Sequence, residues 1–245
     1  MLETRNPQLA SPSFLVALAT YNEIENLPTL VEAIHGKLPA AHVLVVDDKS
    51  PDGTGVWCAE FAQRHSWFFH LPRAGKLGLG SALAAAMQFG VEKNYQKIIT
   101  LDADWSHPPE SLPAMVEAAE SADVVIGSRY CPGGAIAGWT RRRRVASRMI
   151  NALARTLIGL PLSDCSGNYR LYRADLVGQL EVGELHATGY AYLEEILWHL
   201  HRLGARFAEV PITFTDRRAG QSKLNLGEVF GAARTLLRLS LKRFF

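Results

Sequence analysis

With 245 residues, 48% hydrophobic and 20% charged, the chain has the composition of a core-forming domain, which excludes a disordered or fibrous protein. Its formal net charge of +2 removes any global electrostatic case for nucleic acid. Basic residues cluster locally instead, in Arg141, Arg142, Arg143 and Arg144 and near the C-terminus. Cys58, Cys131 and Cys165 are odd in number and lack metal-ligand spacing, pointing to a reducing cytosol. The opening MLETRNPQLASPS has no apolar run, so no secretory signal is expected. No stretch approaches the roughly 20 apolar residues of a spanning helix. Membrane contact, if any, is expected to be peripheral or through a membrane-embedded partner.

Short apolar runs at Phe14–Ala19, His42–Val46, Trp67–Leu71, Lys97–Leu101 and Asp123–Ile126 read as strands. Helical patterns at about 26–38, 54–65, 78–92 and 109–120 alternate with them, predicting an α/β sheet. A basic helix is predicted at about 141–159, then a polar turn and short strand over Asp164–Tyr172. A helix at 190–203, a strand pair over Phe207–Phe214, a DRRAGQSK loop (216–223) and a last helix at 225–243 follow.

Open parallel sheets bind ligands just beyond the strands' carboxyl ends, and two acidic motifs stand there. VVDDKSPDGT (45–54) contains ordinary cap and turn chemistry from Ser50 to Thr54. Capping leaves Asp47 and Asp48 unexplained, since adjacent desolvated carboxylates are costly without partners; Asp47 is a candidate acceptor of hydrogen bonds from a base or ribose. In ITLDADWSHPPE (99–110), Asp102 and Asp104 alternate, so an extended backbone would face both carboxylates one way. That pair suits a hard divalent cation bound to a diphosphate. His107 reads more readily as part of an HPP turn than as support for the metal loop.

Arg143, Ser147 and Asn151 recur at four-residue spacing and fall on one helical face, with Val145, Met149, Ile150 and Leu153 supplying apolar positions. Arg and Ser on one face can clasp a phosphomonoester, and the other arginines can meet anionic headgroups. Such an acceptor is largely ionised near neutrality and needs no general base. Glu194 and Glu195 either border that site or form a solvated face. Glycine and serine in GQS make the 216–223 loop flexible, able to close over a donor. The last helix carries Arg234, Arg238 and Lys242 opposite Val229, Phe230, Ala233, Leu236, Leu237, Leu241 and Phe244, a pattern suited to an interface. GKLGLGSALA (75–84) resembles a dinucleotide-binding turn but lacks G-x-G-x-x-G and its downstream acid.

ATYNEIENL, VVDDKSPDGT, GKLGLGSA, DADWSHPP, GSRYCPGG, the Trp139–Arg143–Ser147 spacing, DCSGNYRLY, GYAYLEE and RRAGQSKL occur in that order. Together they resemble the dolichol-phosphate mannosyltransferase group of glycosyltransferase family 2, over about residues 14–225. The resemblance implies a GT-A α/β fold with a mixed, mainly parallel sheet, residues 1–225 being the catalytic domain, and the residue pattern makes 226–245 an amphipathic helix suited to an interface. It implies an inverting enzyme that moves mannose from GDP-mannose to a polyprenyl phosphate with Mg2+ or Mn2+, peripheral at the cytoplasmic face of a membrane. The alternative is another nucleotide sugar, such as UDP-glucose, or a glycan hydroxyl as acceptor.

The resemblance puts Ala19, Tyr21, Glu23, Val45 and Asp47 around the nucleotide. Asp102, Ala103 and Asp104 stand at the ribose–metal–diphosphate junction, with Ser106 beside the metal. Arg129, Arg217 and Lys223 would face donor phosphates, while Arg143 and Ser147 would hold the acceptor phosphate. Ala19, Lys49 and Trp105 depart from the group's usual proline, Asn or Gly, and smaller aliphatic residue.

Overall fold

A computed structural model of the chain describes residues 13–180, 191–216 and 235–241. Four parallel strands come first: β1 (Phe14–Thr20), β2 (Ala41–Asp47), β3 (Phe68–Pro72) and β4 (Lys97–Asp102). Helices α1 (Leu27–Lys37), α2 (Thr54–Arg64) and α3 (Leu79–Glu92) connect them. Alternating side chains of one strand enter different cores. Val16 and Leu18 of β1 pack with Leu30 and Ile34 of α1 and Phe61 of α2, while Leu15 and Ala17 pack with Ala82 and Ala86 of α3. Burial on both faces is why β1, β2 and β4 read as continuous apolar runs.

The predicted helix at 109–120 is a 3₁₀ turn, Pro109–Ser111, leading into α4 (Leu112–Ala118). Next come β5 (Val124–Ser128), β6 (Ala135–Ile136), α5 (Arg141–Ile158), β7 (Arg170–Arg173) and α6 (Ala174–Val177). Helix α7 (Ala191–Arg202) and strands β8 (Phe207–Pro211) and β9 (Thr213–Phe214) follow. The main sheet runs β3-β2-β1-β4-β7-β5-β8. Among the described strands, only β7 is antiparallel to its neighbours. The predicted strand pair over 207–214 separates: β8 joins β5 in the main sheet, whereas β9 pairs with β6 in a second sheet.

Residues 235–241 are helical. Leu236 and Leu239 enter the core beside Trp198 and Leu197, and Arg238 pairs with the buried Glu195. The expected sorting of this helix therefore changes, because Arg238 serves a buried countercharge while Leu237 and Leu241 remain exposed. The boundary at 225 and residues Arg234, Lys242 and Phe244 lie outside the described residues.

All three cysteines are buried thiols. Burial pushes those of Cys58 and Cys165 up to about 12, so neither is a nucleophile near neutrality.

Candidate active site

Parallel register brings Thr20, Asp47 and Asp102 to one edge of the sheet, since Thr20 pairs with Asp47 and Ala19 with Asp102. The loops at this edge are tied together. Asp52 accepts from the Ile24 amide at 3.1 Å and from the Thr54 hydroxyl at 2.6 Å. The Glu23 amide donates to Thr54 and the Asn22 amide to Ser50. Turn chemistry over Ser50–Thr54 thus also positions the Tyr21–Glu23 loop. Lys76 sits over the Tyr21 ring, 4.3 Å from its centroid.

The adjacent aspartates are separated by their partners. Asp47 accepts from the Thr20 hydroxyl at 3.1 Å and from the Ser50 amide and hydroxyl at 3.0 and 2.5 Å. Asp48 lies 3.0 Å from Arg73 and accepts from the amides of Leu77 and Gly78 at 2.9 and 2.8 Å. Those amides lie just ahead of α3, so the glycine-rich turn is spent on holding the Asp48 carboxylate. Lys49 then turns back with φ +57°, a left-handed conformation that Asn or Gly adopts at lower cost. Trp105 is likewise left-handed, φ +64°.

Val45, two residues before Asp47 and on the same face of β2, has its side chain wholly buried in the core with Leu30 and Ile34 of α1. Ala103 is also core-packed, and Ala19 is half-buried.

Strand β4 ends at Asp102, so Asp104 belongs to a turn and the extended-backbone argument for the pair fails. Asp104 instead accepts from the Ser106 amide at 3.0 Å, an Asx turn. Asp102 keeps 31% of its side chain exposed and accepts from Asn168 Nδ2 at 2.9 Å. His107 is more than a turn residue: its Nδ1 accepts the Asp102 amide at 3.0 Å. Burial holds its pKa below the ordinary histidine range, leaving a neutral ring with the proton on Nε2. Thr215 bonds the carbonyls of Trp105 and Ser106, which attaches β9 to the same turn.

Among the described residues no trio of His, Cys, Asp or Glu forms a metal-binding group. The oxygens at this turn nevertheless fit a hard cation. Two carboxylates are accompanied by Ser106 Oγ and Asn168 Oδ1, both buried and without hydrogen-bond partners. One or two carboxylates completed by substrate phosphates are the usual magnesium set.

Arg129, expected to face donor phosphates, is a buried cation, 7% exposed. Its Nε and Nη2 meet the two oxygens of Asp164 at 2.7 and 2.6 Å, and Nη2 also reaches Ser166 at 2.8 Å. Burial alone would raise the Asp164 carboxyl; the guanidinium more than reverses this and holds it below the usual range.

On α5 the predicted face is present. Tyr130 donates to Ser147 at 2.6 Å, and Asn151 donates to Ser166 at 3.0 Å while accepting the Cys165 amide. Arg143 stacks 3.9 Å above the Trp139 ring and, about half exposed, stands 3.5 Å from Asp216. The Trp139–Arg143–Ser147 spacing thus describes an aromatic shelf, a cation and a hydroxyl. Arg217 and Lys223 lie outside the described residues, and Asp216 is the last described residue before them.

Residues 164–168 join the two halves, a role sequence reasoning missed. Asp164 fixes Arg129, Ser166 bridges Arg129 to Asn151, and Asn168 holds Asp102. The motif DCSGNYRLY was visible, but these partners lie at sequence separations of 14 to 68.

Glu194 and Glu195 are buried, not solvated. Burial pushes Glu194 up to about 7, with Arg170 acting in opposition. Its Oε2 has no hydrogen-bond partner. The folded state therefore favours the protonated form, and this stabilisation is complete below the ordinary 4.5 and is lost as pH rises through about 7. Glu194→Gln is expected to flatten that decline in urea titrations. Above pH 7 it should be more stable than the parent by up to about 3 kcal/mol.

A family model described as Glycosyl transferase family 2 matches residues 15–180. An undecaprenyl-phosphate mannosyltransferase of Micrococcus luteus is 40% identical over 227 residues, covering 93% of each chain. A polyprenol monophosphomannose synthase of Mycolicibacterium smegmatis is 40% identical over 213 residues, 86% of this chain and 80% of that one. The fold is shared with glucosyl-3-phosphoglycerate synthase of Mycobacterium tuberculosis, solved with Mn2+, UDP and glucosyl-3-phosphoglycerate. That similarity has a TM-score of 0.66 at 19% identity, covering 96% of this chain and 80% of that one.

Proposed function

The chain belongs to glycosyl transferase family 2, and from that premise we propose that this glycosyltransferase moves mannose from GDP-mannose to a polyprenyl phosphate. One observation carries the reading: residues 164–168 link Asp102, at the end of β4, to Asn151 on α5, the helix that bears Arg143 and Ser147. The names of the two 40%-identical relatives support the sugar and the lipid class.

Asp102, Asp104 and Ser106 would hold Mg2+ or Mn2+, which would supply Lewis-acid neutralisation of the departing diphosphate. Asp47, with Tyr21 and Glu23, lines the edge where a base and ribose would rest. Arg129 acts differently from a phosphate ligand, because its charge is matched by Asp164 and it keeps Tyr130 and Ser166 in place. Arg217 and Lys223 remain proposed donor-phosphate residues by resemblance.

Arg143 on its Trp139 shelf is the accessible cation for an acceptor phosphate, with Ser147 one turn on. No general base is required, since the phosphate oxygen arrives ionised. Arg143→Ala and Ser147→Ala are each expected to raise KM for polyprenyl phosphate about 10-fold or more, a charge-assisted contact contributing about 1.5–3 kcal/mol. The KM for GDP-mannose should stay nearly unchanged. Equal effects on both substrates would move this helix to the donor side.

The lipid also accounts for the outer face of α5. Val145, Met149, Ile150 and Leu153 are 50–67% exposed among Arg141, Arg142, Arg144 and Arg148, a pairing suited to an anionic membrane surface. Among the described residues no helix is long and apolar enough to cross a membrane. Peripheral contact at the cytoplasmic face, direct or through a membrane-embedded partner, is part of the proposal.

A further inference from the structure

Asn168 lies outside the acidic motif, yet three bonds fix its neighbourhood. Its carbonyl accepts from the buried Thr100 hydroxyl at 2.8 Å. The next residue, Tyr169, donates through its hydroxyl to the Pro108 carbonyl at 3.0 Å and through its own carbonyl receives the Gly127 amide at 2.8 Å. Antiparallel pairing of Thr100 with Arg170 holds this stretch against the end of β4. The side chain is 3% exposed, and its Nδ2 donates to Asp102 Oδ1 at 2.9 Å.

That bond assigns the amide orientation, since only the NH2 group can donate to a carboxylate. Asn168 Oδ1 is consequently the remaining acceptor, buried and without a partner. An unsatisfied buried acceptor costs about 1–3 kcal/mol. A buried amide with one half bonded to a candidate metal carboxylate and the other half bare matches an outer-shell group awaiting a metal-bound water.

We propose that Asn168 is a positioning residue that holds Asp102 Oδ1, leaving Oδ2 for the cation, and that its own Oδ1 accepts a hydrogen bond from a water on that cation. His107 fixes the Asp102 backbone and Asn168 the side chain, so the most exposed carboxylate of the site is oriented from both ends. The inference rests on the proposed metal site and extends it to a residue 66 positions away.

The test is a titration of the full chain with Mn2+, alone and with GDP, read by loss of the free-ion EPR signal. Asn168→Ala should weaken Mn2+ binding about 10- to 100-fold, the usual effect of losing an outer-shell partner. On an Asp102→Ala background the same change should have little further effect. Thermal midpoints of the metal-free proteins separate positioning from folding, and Asn168→Ser carries the same comparison if the alanine variant does not fold. Wild-type Mn2+ affinity in a folded variant, or effects that multiply on the Asp102→Ala background, would overturn the inference while leaving the metal site standing. Absence of Mn2+ binding by the wild-type chain with GDP would overturn both.

Discussion

Asp164→Asn is expected to lower folding stability by about 3–5 kcal/mol, the effect of removing one member of a buried ion pair. Asparagine keeps the size but leaves the Arg129 guanidinium buried without a countercharge. Asp164 also accepts from the amides of Arg129 and Gly167, so the strand end and the 164–168 loop should loosen together. Urea unfolding measures the loss. A change below about 1 kcal/mol would mean that the pair is more hydrated than its burial indicates. Transfer activity should fall as well, because Ser166 and Tyr130 are positioned through Arg129.

Asp104→Asn should reduce kcat for sugar transfer about 10³-fold or more, since metal stabilisation of a leaving diphosphate amounts to several kcal/mol. The fold should survive, because the Asx turn to the Ser106 amide needs only an oxygen acceptor, which asparagine retains. Near wild-type turnover with an unchanged melting curve would remove Asp104 from the metal site.

The parts of the molecule legible in the sequence share a physical cause. Strands β1, β2, β4 and β5 are buried on both faces and interrupt helices of ordinary length, so apolar runs and polar turns marked them. Strands β6 and β9 have two residues each and leave no periodic signal; they exist because the Ala135 amide meets the Ile212 carbonyl. The Arg143–Ser147–Asn151 face was legible because helical spacing is local. Partner choice was not. Arg129 reads as a cation at a strand end, and nothing nearby announces Asp164, 35 positions later. Asp48 similarly looked like half of a repelling pair until Arg73 and the amides opening α3 supplied its partners. The alternation argument for Asp102 and Asp104 failed at one point, the end of β4, which lies between them.

Incubation of the purified chain with GDP-[14C]mannose, a polyprenyl phosphate and Mg2+ or Mn2+, followed by organic extraction, tests the central claim most directly. The account predicts a lipid-extractable, mannose-labelled product that requires both the divalent ion and the terminal phosphate of the lipid, and that is lost in Asp104→Asn. Label remaining in the aqueous phase with every metal, or equal transfer to a polyprenol lacking its phosphate, would contradict it.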